Sequence, residues 1–530
     1  DEIKENVADA RAKRITSYLN LLHRLEEKQF RNFISRITNI QQYISLLPDY
    51  SAIKKEFSRL LEKKTGPEEI KAWAKANLST GSIDVNIMTK LDKENYKDHQ
   101  KLPVIYNDAH AALRGYANSM LSSSVIFSAG MNPRLYSYLE EFKDFYPDTD
   151  GIFKKKIVLK VSDYRSALIQ GKFLAKKGLW VSEFRVESGL NCGGHAFASE
   201  GYLLGPILNE FSQKKKELYE SIHAIYINAL ELKNHPIPTK ALTIEMSAQG
   251  GVGTAQEHQF LKDHYLVDSV GWGSPFLLVP EATTVDPSTL QLLAEASEKD
   301  IYLSNSSPLG VPFNNLRTSS KNKQRLALAA QKKPGSPCQK KYLAFNTEFA
   351  GDPLCTASAK FQRMKIRQLE GSVNDQMEDA YEKIIEKECI CSGLGASALI
   401  VNGIAKNTGG VTVCPGPNLA YFSNIMSLKE MIDHIYGRID ILQKDRPHMF
   451  IKELQLYLDY FAKSIKVSSP IFNEKQKNYF KSFRQNLESG ISYYEQIFES
   501  LNDQWEAIKK NSLTALSHAR QTLNLLAAKI

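Results

Sequence analysis

Gly189-Leu-Asn-Cys-Gly-Gly-His195-Ala-Phe197 is followed about fifty residues later by Ser247-Ala-Gln-Gly-Gly-Val-Gly253, and then by Val270-Gly-Trp-Gly-Ser-Pro-Phe276. The latter two segments each carry a glycine turn that closes an apolar run of β type. Such turns expose backbone N–H groups with no Cβ in the way and suit an anion, with Ser274 adding a hydroxyl. His195 follows two glycines at a strand end, where its ring can face a bound cofactor and act as an acid or base near neutral pH.

Outward from these turns, short β-branched runs alternate with helical stretches. Strands are expected at Ile83–Met88, Ser124–Ala129, Lys156–Val161, Trp180–Val186, Leu242–Ala248 and Leu266–Trp272, with a further one at Ile301–Ser304. That alternation predicts βα units and a parallel sheet or barrel. Before it, Ile15, Leu19, Leu22, Phe30, Phe33, Ile37 and Ile44 recur at helical spacing, giving one long helix or two up to Pro48, then a second piece over 51–78 broken at Gly66-Pro67. After about residue 320 a Lys/Ser/Gln-rich linker is expected up to Pro337, followed by a Cys-bearing stretch. Residues 425–530 read as almost wholly helical, through Leu454, Leu458, Phe461, Tyr494, Ile497 and Phe498. The expected segments are a helical 1–78, a cofactor-binding 79–320, a Cys-containing insertion 321–424 and a helical 425–530.

With 530 residues, 42% hydrophobic and 24% charged, the chain has the composition of a globular protein and not of a disordered or membrane one. No apolar run is long enough to span a bilayer. The net charge of +9 is spread over the whole length without a basic block or an aromatic-interleaved Lys/Arg stripe, which argues against nucleic acid as a partner. Six irregularly spaced cysteines make no disulfide framework and point to a reducing, cytoplasmic setting. The composition is compatible with self-association.

Several of these motifs together resemble the FMN-dependent barrel flavoproteins that include nitronate monooxygenases and FMN-type enoyl-acyl-carrier-protein reductases. Asp84-Val-Asn86-Ile is similar to the family's early strand ending in Val-Asn, and Val125-Ile-Phe-Ser-Ala-Gly130 to its strand ending in a Gly turn. Cys192-Gly193-Gly194-His195 resembles the Ala-Gly-Gly-His motif, Gly250-Gly251-Val252 the Gly-Gly-Ile phosphate loop, and Gly273-Ser274-Pro-Phe276 the Gly-Thr-Arg-Phe that completes it. Gly310-Val-Pro312-Phe-Asn-Asn-Leu316-Arg317 resembles the segment after the barrel. The resemblance implies an α/β fold with a TIM (β/α)8-type barrel, additional N-terminal helices and a C-terminal helical domain.

It also implies FMN, held by Gly193, Gly194, Gly250, Gly251, Gly253, Gly273 and Ser274, with Asn86, Lys160 and Gln249 at strand ends near the site and His195 as the catalytic acid or base. The implied reactions are oxidation of a nitronate by dioxygen, or reduction of an enoyl thioester with NAD(P)H on a small-molecule or acyl-carrier-bound substrate. The chain departs from the family before Asn86, where two expected strands are replaced by helices or lie upstream of Asp1. It departs again at Asn191-Cys192 and at Pro275, where the family has Glu-Ala and Arg.

Cys338, Cys355, Cys389, Cys391 and Cys414 gather within 77 residues beside several glycines and prolines. They are candidates for an iron–sulfur cluster or a zinc site, against the plainer reading of free thiols in a packed domain. Ser392-Gly-Leu-Gly-Ala-Ser and Asn407-Thr-Gly-Gly-Val complete no dinucleotide fingerprint and are read as loops. Two other functional classes remain on the sequence alone: a barrel scaffold without catalysis, and an RNA-modifying flavoprotein.

Overall fold

The computed structural model describes every residue except 1–2, 5–6, 98–99, 129, 371–376, 406–408, 443–444, 469–471 and 502–505. The chain divides into two compact units, one of Asp1–Arg185 with Gln213–Met246, the other of Val186–Ser212 with Ser247–Ile530.

In the first unit, the helical periodicity resolves into α1 (Ala10–Ile34), α2 (Ile37–Leu46), α3 (Ala52–Glu62) and α4 (Pro67–Asn77). The α1–α2 break falls where Arg36 is extended, Ser51 caps α3, and Pro67 opens α4, where its missing N–H costs nothing. Ile40, Ile44, Phe57, Ile70, Ala74 and Leu78 form a small core of their own, with Phe30, Phe33 and Trp73 packed against it. Next come β1 (Val85–Met88), a hairpin of β2 (Tyr96–Lys97) and β3 (Gln100–Lys101), α5 (Asp108–Ala117), β4 (Ser123–Ser128), α6 (Pro133–Tyr138), β5 (Lys155–Val161) and α7 (Tyr164–Ala175).

Helix α5 packs on α1 across Gly115, where a Cβ would lie 2.8 Å from the Ala12 carbonyl oxygen, and Arg114 donates to Asp9 at 2.7 Å. At the start of β5 the Lys155 side chain is wholly buried. Its Nζ donates to the Ser119 carbonyl and hydroxyl, both at 3.0 Å, and to the Leu121 carbonyl at 2.8 Å, with the Tyr116 ring 4.4 Å away. Burial pulls its pKa down to about 8.

Further along are β6 (Val181–Glu187), α8 (Leu204–Leu232), β7 (Glu245–Gln249), α9 (Ala255–Tyr265) and β8 (Ser269–Gly271). Six strands form one parallel sheet in the order β1-β4-β5-β6-β7-β8. The near-continuous apolar runs of β4 and β5 are those of strands covered on both faces.

After α10 (Pro287–Ala294), the strand expected at Ile301–Ser304 forms as β9, but it pairs antiparallel with β10 (Phe313–Leu316) instead of extending the parallel sheet. The α/β class and the parallel sheet agree with the expectation, and closure into a (β/α)8 barrel is not confirmed. Among the described residues β1 and β8 are the two ends of the sheet, no strand precedes β1, and what would be a seventh parallel strand is used in a hairpin.

Helices follow: α11 (Ser320–Ala330), α12 (Ala359–Glu370), α13 (Met377–Ile385), α14 (Ile390–Val401), α15 (Leu428–Ile435), α16 (Met449–Ser468), α17 (Glu474–Glu499) and α18 (Glu506–Ala527). Two sequence readings are corrected here. The Lys/Ser/Gln-rich linker contains α11, capped by Ser319, and the Ser392-Gly-Leu-Gly loop is part of α14, where Gly393 admits Thr412 against the helix. Asn407 and Thr408 of the other glycine stretch, and Ala129 at the end of an expected strand, lie outside the described residues. Among the described residues no helix is long and apolar enough to cross a membrane.

Candidate active site

The three quoted segments all lie in the second unit, after β6, β7 and β8. The ends of β7 and β8 are in register, Gln249 beside Gly271, so the turns that follow them start one strand spacing apart.

After β7 the chain passes through Gly250 (φ +123°) and Gly251 (φ +75°), values that favour glycine, and enters α9 through Thr254, whose hydroxyl accepts the Glu257 N–H at 3.0 Å. This turn is held from its carbonyl side. Arg446 donates to the Gly251 carbonyl at 2.6 Å, Asn418 to that of Val252 at 2.9 Å, and His434 Nε2 to that of Gly253 at 2.8 Å. Arg446 also forks onto the Glu257 carboxylate with two contacts of 2.8 Å, and the two side chains are only 5% and 3% exposed. Glu257 in turn accepts the N–H groups of Gly253 at 2.9 Å and Met449 at 2.7 Å. Although burial acts to raise its pKa, Arg446 outweighs that and holds the carboxyl below its ordinary range.

One expected donor, the Gly253 N–H, is therefore already taken by a carboxylate of the chain. The N–H groups of Gly251 and Val252 have no partner among the described residues, although Val252 is buried. They precede the first turn of α9, whose leading N–H groups also lack intrahelical acceptors. In the turn after β8, Gly273 faces open space and Ser274 Oγ accepts the Gly416 N–H at 2.7 Å, leaving the Gly273 and Ser274 N–H groups without a partner among the described residues. Of the four, only Val252 is buried, where an unpaired donor is rare unless a ligand or water meets it; Gly251 and Ser274 are half-buried and Gly273 is exposed. These donors fit a phosphate, the group that FMN would bring.

The turn after β6 is held between two other segments. Gly194 N–H donates to the Cys414 carbonyl at 3.1 Å, Asn314 N–H to the Gly194 carbonyl at 2.9 Å, Asn314 Nδ2 to the Cys192 carbonyl at 2.7 Å, and Ala196 N–H to the Pro312 carbonyl at 2.9 Å. Gly193 has no room for a side chain, since a Cβ would lie 2.7 Å from the Cys414 carbonyl oxygen. Gly194, at φ +78°, borders open space. His195 bridges to Phe313, with the two rings 4.9 Å apart, and its Nε2 lies 2.7 Å from Ser307 Oγ. Burial lowers the His195 pKa, so the ring is neutral at pH 7 and able to take up a proton. Ser307 is itself fully buried, which withholds it from a substrate as a nucleophile.

The remaining expected residues fall as follows. Gln249 ends β7 and donates to Glu187 at 2.8 Å, so its amide serves β6. Asn86 is exposed in the middle of β1 and does not end it, and Lys160 is half-buried in β5. Both belong to the first unit.

Among the five cysteines, Cys338 and Cys391 act electrostatically on the Cys355 thiol, and Cys338 and Cys389 on that of Cys391. Cys414 serves Gly194 through its carbonyl, while Cys355 shares a thiol hydrogen bond with Cys338. Burial pushes the Cys391 thiol up to about 12. Among the described residues no group of three or more His, Cys, Asp or Glu side chains is placed to hold a metal ion.

Sequence reasoning missed Glu257, Arg446, Asn418, Ser307, Asn314 and Glu453. Glu257 carried a signal as the fourth residue of Thr254-Ala-Gln-Glu257, a capping-box pattern, and Asn314 lay in the Gly310–Arg317 segment without being given a role. Glu453 is buried in α16 and accepts from the Ser188 hydroxyl, the Leu204 N–H at 3.0 Å and the Tyr494 hydroxyl at 3.0 Å, so it ties the turn after β6 to the C-terminal helices.

No family model matches the chain, and no curated protein matches it. Among solved structures, the chain is similar to the crystal structure of the enoyl reductase domain of MlnA from the macrolactin biosynthesis cluster of Bacillus amyloliquefaciens, at 15% identity over 63% of this chain and 74% of that one, with a TM-score of 0.33.

Proposed function

We propose that the chain is an FMN-dependent oxidoreductase acting on an enoyl thioester or a related conjugated substrate, with NAD(P)H as the reduced donor. The observation that carries this reading is the set of unpartnered N–H groups of Gly251, Val252, Gly273 and Ser274 after two adjacent parallel strands, at the start of α9. Those residues would hold the phosphate, and Glu257 and Arg446 keep the first turn in the shape that presents them.

When bound, FMN supplies hydride transfer. The residues of the chain supply the rest. Gly194 leaves room for a ring beside its backbone, and Asn314 and Cys414 fix that backbone. Neutral His195, oriented by Ser307, receives or returns the proton that accompanies reduction at the substrate.

The test is the absorption spectrum of the purified protein before and after incubation with FMN, alongside Gly273→Asp, which sets a carboxylate into the open space beside the expected phosphate. Stoichiometric flavin with bands at about 370 and 450 nm, lost in Gly273→Asp, supports the reading. A protein that takes up no FMN overturns it and leaves the helical scaffold reading in its place.

A further inference from the structure

The second unit also contains a cleft of about 920 Å3, a size suited to an organic ligand. One wall is the β9–β10 hairpin, with Tyr302, Leu303 and Pro312; another is a stripe along α16 made of Lys452, Leu456, Tyr460, Lys463 and Val467, spaced so that all share one helix face. Tyr479 and Phe480 of α17 and Lys383 of α13 complete it. The core-facing side of α16 is a different stripe, through Leu454, Leu458, Phe461 and Ile465, so the packing of the helix does not require the first one. Val467 is nonetheless 69% exposed on it. Gly310, at φ +71°, contributes bare backbone with open space where a side chain would stand.

The charges of the cleft are unequally satisfied. Glu298 is paired with Lys452 at 2.8 Å and with the Tyr421 hydroxyl. Glu386 accepts the Asn305 N–H at 2.8 Å, and Lys387 donates to the Asn305 carbonyl at 2.6 Å. Asp459 is an exposed carboxyl whose pKa is raised by desolvation. Lys383 and Lys463 have no partner among the described residues. The cleft thus combines an aromatic and aliphatic lining with two uncommitted ammonium groups.

We propose that this cleft binds an amphiphilic monoanion, a free long-chain carboxylate whose chain lies along Leu456, Tyr460 and Tyr479 and whose head is held by Lys383 and Lys463. A cationic amphiphile would meet those two ammonium groups, and a neutral one would leave them unused. The inference stands on the cleft alone and is independent of the flavin reading.

The experiment is a calorimetric titration of the full chain with dodecanoate, dodecanol and dodecyltrimethylammonium, all below their aggregation thresholds. Dodecanoate is expected to bind saturably at one site, about ten-fold or more tighter than either of the others, and about ten-fold or more weaker in the Lys383→Glu/Lys463→Glu double variant. Leu456→Arg, at a half-exposed position, blocks the apolar wall and is expected to abolish binding with an unchanged urea midpoint. Equal binding of the three head groups, or dodecanoate affinity that survives both variants, overturns the proposal. Binding only to anionic vesicles and not to free dodecanoate would make the face a lipid surface and overturn it as well.

Discussion

The guanidinium of Arg446 meets the carboxylate of Glu257 through two hydrogen bonds of 2.8 Å, and the same guanidinium reaches the Gly251 carbonyl at 2.6 Å. A residue from the C-terminal helical region therefore closes the glycine turn after β7, the partners being 189 positions apart in sequence. Both groups are buried, so each depends on the other for its charge. Arg446→Ala is expected to cost about 3–5 kcal/mol by leaving Glu257 charged without a partner. The double variant Arg446→Met/Glu257→Gln should lose much less than the sum of the singles, as a double-mutant cycle in urea would show. Additive losses would mean the pair is not coupled.

Glycines in this region separate into two kinds. At Gly251 a Cβ would stand 1.9 Å from Asn191 Nδ2 on a backbone at φ +75°, so Gly251→Ala should destabilise the fold by about 1–3 kcal/mol. At Gly273 nothing lies within 4 Å and the backbone is at φ −126°, so Gly273→Ala should leave the urea midpoint where it is. A Gly273→Ala protein as unstable as Gly251→Ala would contradict the packing described.

For His195 the expected signature is kinetic. His195→Gln keeps a polar group for Ser307 and should retain FMN, while turnover falls by about two to four orders of magnitude. Because burial lowers its pKa, the acid limb of the wild-type rate profile should lie on the low side of the ordinary histidine value of 6.5, and that limb should vanish in the variant. A variant with unchanged turnover would reduce His195 to a structural residue.

Much of the fold could be read in advance because apolar periodicity reports burial directly. The Ile301–Ser304 strand forms over those residues, and β5 begins one residue before its expected start. What failed depended on pairing partners distant in sequence. Nothing in Ile301–Ser304 says that it will join Phe313–Leu316 antiparallel instead of the parallel sheet. Helix α11 was hidden by its Lys/Ser/Gln composition, yet Lys321 and Asn322 are buried in it, and Lys321 Nζ donates to the Gly409 carbonyl. The glycine turns of the candidate site were legible as turns. The charges that stabilise them were not, since Glu257, Arg446 and Glu453 look like ordinary surface residues until the helices carrying them are packed.

The buried pair Glu453 and His448 gives a pH dependence of stability with two limbs of opposite sign. Glu453 is pushed up by burial to about 7 from 4.5, so between those values the folded state keeps a proton that the unfolded chain has lost. Its stability contribution is present below about pH 4.5 and is lost as pH rises to 7, about 3 kcal/mol in all. His448 is pulled down by burial to about 4 from 6.5, so the unfolded chain takes up the extra proton and stability is lost as pH falls from 6.5 to 4, by a similar amount. The two slopes oppose each other over most of the same window and largely cancel there, while His195, His258 and His264, also lowered by burial, add to the His448 slope. Glu453→Gln removes only the first, since an amide can still accept from Ser188 and Leu204. Its midpoint should then rise with pH over that window more steeply than that of the wild type. A Glu453→Gln profile with the same slope as the wild type would show that Glu453 does not hold its proton in the folded protein.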